Sequence, residues 1–466
     1  MIRDDIPEPL VTVYITSYNY GRYIRQAIDS VLSQTMQDFE LIIIDDGSTD
    51  DSRSLIDAYS RHAKIRPIFQ QNKGLNVTNN IALRAARGTY VMRLDADDWL
   101  DPHAIEVLSN VLNRNSEIGM VFPDYYLVDS EGNITEQVRR HSFDDVTLLD
   151  QPAHGACTMI RSDCLRRVGG YDESFRCQDG YDLWVRFIEH FEVRNVNLPL
   201  FYYRQHDSNL THNEERILAT RAEIVRRMTA RKSTPLKVLG VVAERGGRRG
   251  SSSFALRVLG DRFLIDWTLL AALDAHRITK VVLSTPDPEI ISHVQRFTDK
   301  GLLVIQRPSD LAKANTELTD TMRHALELAE ASGKEYYDAV IQLSIESPFR
   351  ASYHIDAAVE VMELFDTDIV VGVRAESDIF YRHNGHGLKA VSEANGLRLE
   401  RENMYREVGS MRVLRRERIL DKPLTDSARI GHVVLDQRAA LRILTRYDWA
   451  VAESLAKSWC AYTPVY

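Results

Sequence analysis

Three short polar segments in the first hundred residues carry the side chains best suited to chemistry. They are Thr16-Ser17-Tyr18-Asn19, Asp45-Asp46-Gly47-Ser48 and Asp95-Ala96-Asp97-Asp98. Each closes an apolar run: LVTVYIT at 10–16, ELIII at 40–44 and YVMRL at 90–94. Gathering several carboxylates in one place costs repulsion unless a cation offsets it, so the cluster implies a divalent metal. A hard cation such as Mg²⁺ or Mn²⁺ takes carboxylate oxygens, needs few of them, and fills its shell from a ligand's phosphates. An Asp-x-Asp supplies that arrangement. Taken alone, Asp45-Asp46 reads equally well as a solvated loop; three such clusters at strand ends are harder to read that way.

The elements that must position these segments follow from periodicity. A continuous apolar run that stops abruptly in a turn fits a strand of a parallel sheet buried on both faces. Residues 23–33 place Ile24, Ala27, Ile28 and Val31 at helical spacing, and 76–86 also reads as helix. In open α/β sheets ligands sit beyond the C-terminal strand ends, where all three segments fall. Strand-like and helix-like patterns alternate along most of the 466 residues, which predicts α/β architecture with mainly parallel sheets.

Around 209–232 the pattern turns polar, helical and arginine-rich. KVLGVVA at 237–243 then opens a second series, with helices at 263–275 and 288–297 and strands at 280–284, 302–305, 339–343 and 368–373. Two Rossmann-like domains, 1–232 and 233–466, are the economical reading for a chain of this length.

Composition narrows the function classes. A net charge of −9 gives no general attraction to nucleic acid. The four cysteines, Cys157, Cys164, Cys177 and Cys460, form no CxxC pair, so neither a zinc site nor a disulfide framework is indicated. A reducing cytoplasm fits that usage. MIRDDIPEPL does not read as a signal peptide, and no apolar run approaches the roughly 20 residues of a transmembrane helix. Peripheral attachment at the inner face of a membrane is left open. No GxGxxG follows the first strand of either half, which disfavours a dinucleotide-dependent oxidoreductase.

From Pro9 to Asn213 the chain resembles the family 2 inverting glycosyltransferases, which have the GT-A fold. The resemblance is carried by TSYNYGRYIRQAIDSVLSQTMQDFELIIIDDGSTDDS, GTYVMRLDADDWLDP, RCQDGYDLWVRF and YYRQHDSNLT. It implies metal-dependent transfer of a sugar from a nucleotide-sugar donor to a hydroxyl of a glycan or glycoprotein acceptor, in bacterial surface assembly. It also implies that Thr16 and Tyr18 line the base pocket and that Asp46 accepts the uracil N3–H, favouring a uridine donor. Asp95 would lie near the ribose and metal, Asp97 would be the principal metal ligand, and Mn²⁺ or Mg²⁺ the cofactor. His206 would face the metal or diphosphate, or be an ordinary loop histidine. The family's base lies in the Gln178–Trp184 stretch; Asp179 is the first choice and Asp182 the alternative, which could instead cap the helix. Two positions depart from the family pattern. Asp179-Gly180 stands where Glu-Asp is usual, and Asn79 stands where an arginine is common, leaving its phosphate contact absent or supplied by Lys73.

From 236 to 455 the chain resembles the cytidylyltransferases that activate sialic and related nonulosonic acids. VVAERGGRRGSSS, VVLSTPDPEI, IQRPSDLA, IQLSIESPFR and TRYDWAVAE carry this resemblance. Arg245, Gly246 and Gly247 could form an anion-binding nest or a plain basic turn. Where the family has Lys-Asn, this chain has Phe254 and Ala255; where it has a metal-binding Asp-x-Asp, Arg442 and Leu444 stand, with Asp436 nearby in another register. Its Gln-Pro-Thr-Ser-Pro is Ser344-Ile345-Glu346-Ser347-Pro348. Without metal carboxylates, phosphoryl transfer loses most of its stabilisation, so ordinary CMP-sugar synthesis is not expected. Weak nucleotide or sugar binding, acceptor recognition and homodimer formation remain open for this half. Competing readings are a bifunctional transferase–synthetase and a non-catalytic carbohydrate- or nucleotide-binding scaffold. YRHNGHG at 381–387, with two histidines and an arginine, reads as a polar site or, preferably, an exposed loop.

Overall fold

The computed structural model describes residues 8–139, 152–175, 177–206, 214–231, 234–245, 253–312, 317–376, 380–383, 385, 387–391, 404–420 and 428–459. Its internal contacts divide the chain into two units. The first is Met1–Arg221 with Asp378–Glu402, the second Ala222–Ser377 with Asn403–Tyr466.

The first unit is built on a nine-stranded sheet. Its strands are β1 (Val11–Ser17), β2 (Phe39–Asp45), β3 (Ile65–Phe69), β4 (Tyr90–Asp95), β5 (Trp99–Leu100), β6 (Ile118–Val128), β7 (Ile134–Val138), β8 (Met159–Arg161) and β9 (Glu192–Arg204). The order is β3-β2-β1-β4-β8-β6-β9-β5, with β7 added to β6. Every residue of β1 and β2 is buried, which explains their unbroken apolar runs. The register sets Thr16 beside both Ile44 and Asp95, and Ser17 beside Asp45. Parallel pairing in this register delivers all three polar segments to one end of the sheet.

Helices α1 (Ile24–Leu32), α2 (Ser52–Asp57), α3 (Leu75–Ala85), α4 (Ala104–Arg114), α5 (Ser162–Arg167), α6 (Asp179–Ile188) and α7 (Glu214–Thr229) complete the described elements of this part of the chain. In α1 the buried residues are Ile24, Ala27, Ile28 and Val31, the set the spacing predicted.

The expectation of mainly parallel sheets needs correction. Pairing is parallel from β3 to β4, but β8 runs antiparallel to both β4 and β6, and β5 antiparallel to β9. β8 has three residues, too few to register as a strand by alternation.

The second unit has its own mixed sheet of seven strands. Their order is Leu302–Gln306, Lys280–Thr285, Val238–Ala243, Ala339–Leu343, Met404–Arg415, Ile369–Glu376 and Ile430–Val434. The first four are parallel, and Met404–Arg415 is antiparallel to both of its neighbours. Leu239, Val241, Val282 and Val340 pack with Met322 and Leu326 of helix Leu318–Gly333 as a core. In the Asp378–Glu402 segment, which belongs to the first unit, the expected loop at 381–387 is the start of an exposed hairpin, Tyr381–His383 paired with Leu388–Ala390; Asn384 and His386 lie outside the described residues. Among the described residues no helix is long and apolar enough to cross a membrane. Cys157, Cys164 and Cys177 are free thiols, and Cys460 lies outside the described residues.

Candidate active site

The strand ends of the first unit open into a cleft of about 630 Å³, within the range of small-molecule sites. Thr16, Tyr18, Asp46, Asp95 and Asp97 all line it. Thr16 is almost buried at the end of β1, whereas Tyr18, one of the larger exposed aromatics, leaves 46% of its surface open. An exposed ring on a cleft wall is a platform for another flat group.

Asp46 follows β2 directly and is 5% exposed. Its carboxylate accepts from the backbone N–H of Lys73 (2.9 Å) and Gly74 (3.0 Å), and from Gln70 Nε2 (2.7 Å). It therefore fixes the loop leading into α3 as well as facing the cleft. Lys73 takes part through its backbone N–H. Gly47 turns the chain at φ 82°, and a Cβ there would stand 2.7 Å from the Asn72 nitrogen. Asn79 is fully buried on α3.

At the end of β4, Arg93 and Asp95 share a face and pair at 2.7 Å. Asp97 Oδ2 lies 3.0 Å from His206 Nε2, just past β9. The imidazole stacks on Tyr23, with centroids 5.3 Å apart at 21°, and meets Tyr20 edge-on at 6.0 Å. Asp98 accepts the Arg204 N–H at 2.9 Å through Oδ1, while its buried Oδ2 has no hydrogen-bond partner among the described residues. Burial, with the charges of Asp97 and Asp95, pushes the Asp98 carboxyl well above the usual carboxylate range. Burial and then the same carboxylates, Asp97 foremost, push the Tyr20 hydroxyl up.

Arg204 holds these segments together. Its Nε donates to the Asp97 carbonyl (3.0 Å), its Nη1 to that of Ser130 (2.9 Å) and its Nη2 to Gln26 Oε1 (2.7 Å). The guanidinium lies over the rings of Tyr23 and Trp99, at 4.6 and 4.7 Å. Neither Arg204 nor Arg93 was singled out by the sequence reading. A readable signal existed for Arg93, an arginine inside the otherwise apolar run YVMRL, and for Arg204, two residues before His206 in YYRQH.

Asp179 opens α6. Its side chain lies outside the described residues. Gln178 before it has a left-handed backbone, φ 59°. Asp182 does not join the cleft. It is 5% exposed and accepts from Arg186 Nε at 3.0 Å and from Nη2, while Arg186 also donates to the carbonyls of Val168 (2.6 Å) and Gly170 (2.8 Å). That ion pair ties α6 to the turn after α5.

The donor set suits a single hard cation. Among the described residues no three His, Cys, Asp or Glu side chains converge as a metal set. Asp97 and His206 do meet, amid crowded carboxylates and the buried Asp98 oxygen, and Mg²⁺ or Mn²⁺ takes most of its shell from water and phosphate.

In the second unit, Arg245 is exposed just past strand Val238–Ala243, and Gly246 and Gly247 lie outside the described residues. Phe254 meets Trp449 edge-on at 5.9 Å, and Ala255 is fully buried. Arg442 pairs with Glu346 at 2.6 Å, while Leu444 is largely exposed. Asp436 pairs with the buried His354 at 3.3 Å. Burial opposes its charge, but bonds from His354 and the Ala439 N–H prevail and bring its carboxyl down to about 2.

Comparison with known proteins bears on the first unit. Residues 12–173 match the family model described as "Glycosyl transferase family 2". The chain is 32% identical over 205 residues to a chondroitin synthase of Escherichia coli, covering 43% of this chain and 30% of that protein. It is 32% identical over 214 residues to an uncharacterized glycosyltransferase of Rickettsia typhi, covering 44% of this chain and 66% of that one. Among solved structures, S. aureus TarS 1–349 in complex with UDP-GlcNAc overlaps 47% of this chain and 65% of that one, with 16% identity and a TM-score of 0.40. An overlap that slight bears on neither fold nor function. The family match covers the strand ends that bear Thr16, Asp46, Asp95 and Asp97, and residues 12–173 form a glycosyl transferase family 2 domain.

Proposed function

We propose that this chain is an inverting glycosyltransferase using a uridine diphosphate sugar and Mn²⁺ or Mg²⁺ to modify a bacterial surface glycan or glycoprotein. The observation that carries this reading is one cleft lined together by Thr16, Tyr18, Asp46, Asp95 and Asp97, on strand ends of a family 2 domain. Tyr18 offers its exposed ring to the base, Thr16 the pocket wall, and Asp46 a carboxylate already held rigid by three donors. Asp95, paired with Arg93, is placed for the ribose. Asp97 and His206 are the protein ligands for the cation. When bound, the cation offsets the charge that develops on the departing diphosphate.

The reaction is a single displacement. The acceptor oxygen bonds to the anomeric carbon as the bond to the diphosphate breaks, and Asp179 takes the acceptor's proton. Asp182, locked to Arg186, positions α6 and leaves the base role to Asp179. The three free thiols fit a reducing, cytoplasmic setting. In the second unit we read a cytidylyltransferase-like domain without synthetase activity, because Arg442, paired with Glu346, and Leu444 stand where metal carboxylates would be needed.

The test is nucleotide release from UDP-, GDP- and CMP-sugars with Mn²⁺ and a mixed glycan extract, comparing wild type with Asp97→Asn. UDP release that vanishes in the variant supports the reading. CMP release alone would overturn the uridine assignment and favour a bifunctional enzyme. No release from any donor, with UDP binding also absent, would leave the scaffold reading.

A further inference from the structure

A second, smaller hollow of about 20 Å³ adjoins the cleft and shares Arg93, His154, Gly155 and Gly180 with its wall. Its inner walls are apolar, formed by Val91, Met120, Ile160, Leu165, Leu183 and Trp184. Tyr14 and Tyr171, which also border it, bond to each other through their hydroxyls at 3.1 Å. A space of that size holds one group about as large as a water or a methyl. The apolar walls favour the methyl, because a hydroxyl entering the hollow gives up bonds to water that such walls do not replace.

Two glycines stand where the hollow meets the cleft, and neither holds a positive φ that would demand glycine. Gly155 has a steric reason within the fold, since a Cβ there would lie 3.2 Å from Arg93 Nη1. Gly180 has none. A Cβ there would meet nothing closer than the Gly155 backbone at 4.0 Å, an ordinary contact. Glycine in the first turn of α6 also gives up helix stability relative to alanine. What it does provide is a gap, which a Cβ touching Gly155 would close. Arg93 ties this mouth to the donor, because it pairs at 2.7 Å with Asp95, the residue placed for the ribose. The sugar of a bound donor therefore falls beside the mouth.

We propose that the hollow is a subsite for the acetamido group of a 2-acetamido-2-deoxy sugar on the nucleotide donor, with Gly180 as the specificity-determining residue that keeps its mouth open. The methyl enters the apolar hollow, and the amide stays at the mouth, where His154 and Arg93 supply polar surface. This rests on the reading of the cleft as a nucleotide-sugar site.

Calorimetric titration of the full chain with Mn²⁺ begins with UDP alone. It continues with UDP-GlcNAc against UDP-Glc, and UDP-GalNAc against UDP-Gal. Wild type should bind at least one acetamido donor about tenfold tighter than its hydroxyl counterpart, the scale of one methyl-sized group in an apolar pocket. Gly180→Ala should erase that preference with UDP affinity unchanged and the melting temperature no lower, because alanine suits a helix better than glycine. Val91→Ile, which adds a methyl from the inner wall, should erase it as well. The proposal is overturned if wild type shows no acetamido preference, or if the preference survives in Gly180→Ala. An equal loss of affinity for UDP and all four donors in Gly180→Ala would place the effect on the cleft as a whole and equally overturn it. A wild type that binds no UDP with Mn²⁺ would instead sink the donor reading, which the first titration reveals before any sugar donor is added.

Discussion

His206 Nε2 lies 3.0 Å from Asp97 Oδ2, joining the end of β4 to the residues just past β9 across 109 positions of sequence. Tyr23, stacked on the imidazole, limits how far that ring can turn. A pair so placed can share a cation. Asp97→Asn should lower kcat by about 10²–10³-fold, comparable to losing one main electrostatic contact in a transition state. His206→Ala should weaken Mn²⁺ binding in the presence of UDP while leaving Tyr23 and Arg204 packed. Steady-state nucleotide release would check the first, and Mn²⁺ titrations of both variants monitored by electron paramagnetic resonance the second. Equal Mn²⁺ affinity in all three proteins would remove Asp97 and His206 as ligands.

Gly47 tests the turn that presents Asp46. Its φ of 82° already disfavours any side chain, and a Cβ would come within 2.7 Å of the Asn72 nitrogen, which is backbone and cannot swing away. Gly47→Ala should cost about 1–3 kcal/mol of stability, the scale of a strained backbone position. It should also weaken UDP binding, because the Asp46 bonds to Lys73 and Gly74 span the same turn. Urea unfolding and a UDP titration read the two effects separately. Unchanged UDP affinity in a destabilised variant would detach Asp46 from the donor.

Much of this site could be read before any coordinate. ELIIIDD and YVMRLDADD announce buried strands ending in carboxylates, and parallel pairing then forces those ends together, as the Thr16–Ile44–Asp95 register shows. The antiparallel insertion of β8 was not legible, because three residues carry no usable period. Nor was the partnership of Asp182 with Arg186, since i,i+4 spacing permits an ion pair but does not tell a buried one from a solvated one. Arg204 was hidden for a different reason. Its five N–H groups serve carbonyls and an amide from segments remote in sequence, and only the assembled fold brings Asp97, Ser130 and Gln26 within its reach.

Glu40 sets an acid limit on the domain. Its side chain accepts from Arg87, Arg66 and Thr12, which together outweigh the burial that would raise its pKa, so the folded carboxyl titrates below its usual value. A lowered folded pKa contributes stability that is fully present above the unfolded pKa of about 4.3 and is lost as pH falls through the folded value. Glu40→Gln should therefore be less stable than wild type at pH 7. The two arginines are 41% and 37% exposed, so solvent screening holds the difference to about 1 kcal/mol rather than the cost of breaking a wholly buried pair. Urea unfolding at pH 7 and at successively lower pH should show the gap closing as wild-type Glu40 protonates. A gap independent of pH would mean that packing, not charge, is what Glu40 contributes.

The second unit offers the sharpest negative prediction. Phosphoryl transfer to a sugar acid needs a cation held against a triphosphate, and carboxylates are the usual holders. At the positions where resemblance would put that function, Arg442 donates to Glu346 at 2.6 Å and Leu444 carries no ligand atom. Ala255, fully buried, and Phe254, packed edge-on against Trp449, replace the polar pair expected near the base. Incubation with CTP, Mg²⁺ and a nonulosonic acid should release no pyrophosphate above the rate without protein. The Arg442–Glu346 pair is 54% and 32% exposed, so Glu346→Gln should change stability by no more than about 1 kcal/mol. Pyrophosphate release by wild type would show that the unit finds a cation by other residues, and the bifunctional reading would replace the one proposed.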